Sequence, residues 1–260
     1  MYYRRGLFIC NTECECIIHP PLTGADNMRF DNERARAVLH GTAQPCFRLY
    51  TWHPWCISLG YHQQEKTIDM QCCQNYGWDI VRRPTGGKAV LHAEEITYSL
   101  IIPLPDGNPQ EAYRLSHEFL RILLCSFLPP TEHSALQFSA TSARFAEDYS
   151  SDPSAELCFA RSAQYELSWS GRKLVGSAQR LFRHGSTTVL LQHGSIPCSS
   201  AHTRITEVLS STHEQPLVLQ QHLADKSAGL HDIIGKISAP QEYLQSCAHF
   251  LDHYISTQIL

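Results

Sequence analysis

Residues 78–104 read WDIVRRPTGGKAVLHAEEITYSLIIPL. Their β-branched and aromatic runs predict one strand over 78–83, leading straight into Pro84-Thr85-Gly86-Gly87, and a second over 95–104. Upstream, CFRLYTW (46–52) and CISLGY (56–61) predict a pair of strands turning at His53-Pro54. A helix is predicted over 25–40, with Asp26 or Asn27 as its N-cap and Gly41 beyond its end, and a short polar helix over 64–75 ahead of Gly77. Downstream, Ala112, Leu115, Phe119, Ile122, Leu123 and Phe127 fall at helical spacing within 108–128. Residues 129–160 read as a loop with one short strand, 165–179 as a hairpin turning at Ser170-Gly171, 186–196 as a strand and 200–260 as helical. Strands and helices mixed in this order predict an α+β fold, a mixed and largely antiparallel sheet flanked by helices.

The chain has 260 residues, with 21 Lys and Arg against 25 Asp and Glu, a formal charge of −4. That excludes a generally basic nucleic-acid binder. Hydrophobic residues at 43% supply a sizeable core, and the length suits one large domain. The apolar run near the N-terminus is too short for an export signal, and no stretch approaches the about 18 apolar residues of a membrane span. Eleven cysteines cannot all pair within the chain, so a reduced, cytoplasmic protein is expected, with neither nucleic-acid nor membrane partner. Cys10, Cys14, Cys16 and His19 lack the paired CxxC spacing of structural zinc, and no metal ligands are assigned.

Three segments carry chemistry. In Arg82 to His92, two glycines after a strand let backbone N–H groups converge, with Arg82, Arg83 and Lys88 adding positive charge. Such a loop holds a phosphate, a carboxylate or a carbonyl oxygen, or serves as a plain turn; it fits neither GxxxxGK[ST] nor GxGxxG. In Gly171 to Gln179, Lys173 stands near Gly176, Ser177 and Ala178, whose small size lets a substrate approach the backbone. The lysine either faces an acyl group or is a solvated hairpin residue. Cys158 precedes that hairpin, and a nearby cation such as Lys173 would make it a nucleophile; otherwise it is a small buried hydrophobe.

In order along the chain stand Asn27-Met28 with Asp31, Arg48 to Trp52, Ser58 to Tyr61 with Gln63, Arg82 to His92, Glu95 to Ser99, Cys158-Phe159, Tyr165 to Leu167, Gly171 to Gln179 and Leu191 to Ile196. This series resembles the lipoate and biotin protein ligase/acyltransferase family over roughly 25–200, and its octanoyltransferase branch most. The resemblance implies the biotin/lipoate ligase, class II synthetase-like catalytic domain over 1–200, with 201–260 as a helical extension packed on it. It implies Cys158 as nucleophile and Lys173 as its partner. For substrate binding it implies Arg82, Gly86, Gly87, Lys88, His92, Tyr98, Gly176, Ser177 and Ala178, with Tyr61 also covering the acyl chain. Octanoyl-acyl carrier protein would be the donor, and the lipoyl domain of glycine cleavage H protein or of a dehydrogenase E2 subunit the acceptor. Thioester exchange followed by amide formation needs no ATP, and no cofactor or metal is implied. Lys88 stands where the ATP-using ligases have glycine and the octanoyltransferases most often arginine.

The alternatives are an ATP-dependent lipoate or biotin ligase acting through an acyl adenylate, an amidotransferase between lipoyl domains, and a non-catalytic binder of these carriers. For acidic carrier domains, Arg82, Arg83, Lys88, Arg172, Arg180 and Arg183 are expected to form a local basic face.

Overall fold

The computed structural model describes residues 1–104, 107–139, 165–210 and 215–258. A six-stranded sheet is built from β1 (Tyr2–Ile9), β2 (Thr12–Ile18), β3 (Cys46–Tyr50), β7 (Glu95–Pro103), β12 (Thr187–Pro197) and β11 (Gly176–His184), in that spatial order. A second sheet of three strands holds β5 (Asp79–Arg82), β4 (Cys56–Leu59) and β6 (Val90–His92), and a third holds β10 (Arg172–Lys173), β9 (Leu167–Trp169) and β8 (Leu136–Phe138). All pairings are antiparallel except β2 with β3 and β4 with β5. In both exceptions the two strands follow one another in the chain and are joined through a helix, α1 (Gly24–Leu39) or α2 (Met70–Asn75), as a parallel crossover requires. The remaining helices are α3 (Pro109–Cys125), α4 (Pro216–Lys226), α5 (Leu230–Ile234) and α6 (Pro240–Gln258), with 3₁₀ turns at 65–67, 130–135 and 200–208. The α+β class read from the sequence is the one observed.

Three local readings change. The cap of α1 is Thr23, whose hydroxyl accepts from the Asp26 amide, one turn earlier than Asp26 or Asn27 themselves. The segments 46–52 and 56–61 do not pair with each other; β3 lies between β2 and β7, and β4 between β5 and β6. Every residue of both strands is buried, and a strand covered on both faces is best satisfied with a neighbour on each edge, which a lone hairpin cannot supply. Residues 1–18, left unassigned above, form the β1–β2 hairpin, with Cys10 and Asn11 at positive φ in its turn.

The large sheet separates two cores. On one face Ile17, Cys46, Ile101, Val189 and Leu191 pack on Ala35 and Val38 of α1. On the other, Phe47, Leu49, Leu100 and Leu190 pack on Phe119, Leu120 and Leu123 of α3 and on Leu244 and Leu251 of α6. Helix α1 also touches β4 and β5, so it joins the large sheet to the second one. No described helix is long and apolar enough to cross a membrane.

Candidate active site

A cleft of about 360 Å³, partly open to solvent, lies where the second sheet faces the α1 side of the large one. Met28, Tyr50, Trp52 and Val90 give it apolar walls, Ser58, Arg83, His92, Thr97, His193 and Ser195 line it with polar groups, and Gly176, Ser177, Ala178 and Gly194 form its backbone-rich side.

Strand alternation sorts these residues. Ala178 pairs with His193 on the cleft face, while Ser177 pairs with Gly194, and the Ser177 hydroxyl meets Tyr98 and His117 on the α3 face. A Cβ on Gly194 would come within 2.5 Å of Ser177 Oγ and 2.7 Å of the Tyr98 ring, so only glycine leaves room there.

Arg83 is buried, unlike the outward basic residue expected. It donates to the carbonyls of Ser58, Gly86 and Lys88 at 2.7–3.2 Å, and so fixes the glycine loop to β4. Gly87 has φ +93, and Gly60 packs against it so closely that a Cβ there would meet the Gly87 carbonyl oxygen at 1.8 Å. Arg82 points away from the cleft; its guanidinium holds the carbonyls of Gly60, Tyr61 and Gln63 and pairs with Glu65. Arg172 is likewise paired, with Asp232. Of the proposed basic face, Arg180 lies at the loop, donating to the Pro84 carbonyl with its guanidinium 4.6 Å from the centre of the Tyr61 ring, and Arg183 is exposed.

Two buried polar networks support the cleft face. His92 lies 4.0 Å above Trp52 in a parallel stack; its Nδ1 is 2.7 Å from Glu95 Oε1 and its Nε2 2.7 Å from Ser58 Oγ. Behind it Asp31, fully enclosed, accepts from Arg48 at 2.9 Å, Ser99 at 3.0 Å and His193 Nδ1 at 3.3 Å, while His193 Nε2 accepts the Thr85 hydroxyl at 2.6 Å. Burial alone would raise the Asp31 carboxyl, but the His193 bond and the Arg48 charge outweigh it and hold the group below its ordinary value.

Lys173 is buried, not solvated. Its Nζ is 2.9 Å from Glu166 Oε2, and both side chains are 3% exposed. Glu166 Oε1 accepts from the Ser177 amide at 3.3 Å and the Tyr113 hydroxyl at 3.2 Å, which ties the lysine to the backbone-rich side of the cleft. The backbone of β10 is covered by the chain around Ser227, with the Ala228 amide donating to the Lys173 carbonyl at 2.8 Å.

Cys158 lies outside the described residues. Each of the ten described cysteines has its thiol pushed up, chiefly by burial: Cys10 and Cys73 to about 11, Cys46 and Cys247 to about 12. Among the described residues no group of three or more His, Cys, Asp and Glu gathers as metal ligands do.

A cleft flanked by a glycine loop, a buried lysine on a short hairpin and the strand pair β11–β12 is the arrangement behind the resemblance drawn from the sequence. Residues 23–241 match the family model described as lipoyl protein ligase A/B catalytic domain. The chain belongs to that family. Octanoyltransferase LipM of an Exiguobacterium species is 33% identical over 216 residues, 81% of this chain and 75% of that protein. Octanoyltransferase LipM of Carboxydothermus hydrogenoformans is 32% identical over 218 residues, 83% and 77% of the two chains. Among solved structures, one described as a bi-partite lipoate protein ligase and its E2 lipoyl domain from Thermoplasma acidophilum superposes with a TM-score of 0.63 at 16% identity, covering 90% of this chain and 80% of that one. That likeness shows the fold.

Of the residues expected at the site, the structure brings His92, Gly176, Ser177 and Ala178 to the cleft, places Gly86, Gly87 and Lys88 in the loop above it, and sets Tyr98 behind its wall. Sequence reading missed Asp31, Glu166 and His193 as site groups although their blocks were quoted, and missed His117 entirely.

Proposed function

We propose that the chain is an octanoyltransferase of lipoate assembly, taking the octanoyl group from octanoyl-acyl carrier protein onto Cys158 and passing it to a lysine of a lipoyl domain. The observation that carries the reading is the buried Lys173–Glu166 pair beside the cleft. Such a pair holds an ammonium where it stabilises both a thiolate and the oxyanion of a tetrahedral intermediate. Support also comes from the octanoyltransferase names of relatives that match most of the chain, and from the raised thiols of the ten described cysteines, none of which is poised as a thiolate.

In the first half-reaction the Cys158 thiolate attacks the carbonyl carbon, the carrier's C–S bond breaks, and the released thiolate takes up a proton. In the second, a lipoyl-domain amine attacks the new thioester, the C–N bond forms, and the nitrogen's proton ends on the departing cysteine sulfur. The apolar walls of Met28, Tyr50, Trp52 and Val90 would shelter the acyl chain.

The test is intact mass. Incubation with octanoyl-acyl carrier protein is expected to add one octanoyl group, absent in Cys158→Ser and slowed about a hundredfold or more in Lys173→Met. An adduct that forms equally in Cys158→Ser, or transfer that demands ATP and free octanoate, overturns the mechanism.

A further inference from the structure

His117 stands on α3 one turn after Tyr113, within reach of the Lys173 charge, and the Tyr113 and His117 rings stack at 4.3 Å. His117 Nδ1 lies 2.7 Å from the Tyr165 carbonyl oxygen. A carbonyl offers no hydrogen, so Nδ1 carries the proton and Nε2 is an acceptor. Nε2 is 2.9 Å from Ser177 Oγ, which therefore donates to it; Tyr98 then donates to Ser177 at 2.7 Å, and the Gln192 amide to Tyr98 at 2.8 Å. The tautomer of a residue closed to solvent is thus fixed from both sides.

What this ring pins is informative. Tyr165 is one of the described non-glycine residues with positive φ, at 68°, a conformation that persists only when its surroundings enforce it. Its neighbour is Glu166, and Ser177 is the residue whose amide donates to Glu166. Helix α3 therefore grips Glu166 in three ways: Tyr113 on the carboxylate itself, and His117 on the backbone before it and on the strand beside it.

We propose that Glu166 and His117 are positioning residues for Lys173, with α3 setting the carboxylate and the carboxylate setting the ammonium at the place where acyl transfer occurs. The proposal rests on the acyl-transfer reading above. His117 does not act as a base: burial, opposed by the Tyr165 carbonyl bond and reinforced by the Lys173 charge, pulls its imidazole down to about 3. The titratable and charged groups that the structure sets about the lysine include Glu166, Tyr113 and His117, with Tyr98 behind Ser177.

The test follows acyl-enzyme formation from octanoyl-acyl carrier protein by intact mass across a pH series. Glu166→Gln keeps the side-chain shape and removes the counter-charge. Its alkaline limb is expected to move to lower pH by about one unit, because an ammonium without its carboxylate gives up its proton more easily. His117→Leu is expected to lower kcat about tenfold with KM for the carrier protein nearly unchanged. His117→Asn, whose amide can still donate to the Tyr165 carbonyl, should recover most of that loss. Thermal unfolding of each variant is recorded alongside, and if His117→Leu does not fold, Glu166→Gln and Tyr113→Phe carry the test. An unmoved alkaline limb in Glu166→Gln, or equal losses in His117→Leu and His117→Asn, sinks the proposal while leaving acyl transfer intact. A wild-type chain that loads no octanoyl group at all sinks the underlying reading instead.

Discussion

Asp31 and Arg48 are both fully enclosed, and each supplies the other's counter-charge. The guanidinium is further held by Asn27 Oδ1 at 2.6 Å and His19 Nδ1 at 2.7 Å, and lies 3.8 Å from the centre of the Tyr50 ring. Removing one partner leaves the opposite charge stranded. Asp31→Asn is expected to cost about 3–5 kcal/mol in urea unfolding at neutral pH, whereas Asp31→Asn combined with Arg48→Met should cost clearly less than the two single changes added. Additive losses would show that the two residues stabilise the fold separately. The carboxylate also orients His193, and through it Thr85, so the single variant should lose activity beyond what its lower stability explains.

Two loops meet at the glycine turn, and their backbones touch so closely that side chains decide the outcome. Gly60→Ala would drive a methyl into the Gly87 carbonyl and is expected to destabilise by about 3 kcal/mol. Gly86 has open space around its Cα and no positive φ, so Gly86→Ala should stay within about 0.5–1 kcal/mol of the parent. If Gly86 lets a substrate approach the backbone, the same substitution lowers kcat/KM with thermal stability preserved. Equal activity in parent and Gly86→Ala removes Gly86 from the binding surface. The contrast also shows what the sequence could convey about elements. Periodicity located α3, and the Ser170-Gly171 turn appears with φ of 48° and 79° where a two-residue hairpin turn was read. The pairing of β3 with β4 was misread because adjacency in sequence imitates a hairpin, while the true partners of β3 lie across a helix crossover and a second sheet. Of the quoted motifs, the glycine loop is fixed to β4 by Arg83 and Lys173 is buried against Glu166. His117 carried no local signal, since its partner Ser177 is 60 residues away and a histidine on a helix has many ordinary uses.

Over the whole molecule, buried imidazoles make acid the sensitive side. Burial lowers His117 to about 3 and His19 to about 4, and it also lowers His193 and His202. Below the ordinary histidine value the unfolded chain takes up protons that these sites refuse, so stability is full at neutral pH and declines as pH falls toward 3–4. Asp31 acts in the same direction at lower pH, where its depressed carboxyl is finally protonated. Between pH 6.5 and 5, His117 alone should remove on the order of 2 kcal/mol, and His117→Asn should flatten the slope by that amount in urea titrations at stepped pH. A stability that stays level from pH 7.5 to 5 contradicts the buried, neutral assignment.

The pairing of Lys173 with the chain at Ser227 and Ala228 sets an order of events during synthesis. Every described residue that lines the cleft has left the ribosome once Ser195 emerges, yet the strand carrying the lysine lacks the neighbour that closes over its backbone until residues 227–228 follow. The described cleft walls are thus all synthesised before the segment that closes over the backbone of the lysine's strand, so a nascent chain can hold its hydrophobic slot while that strand is still uncovered.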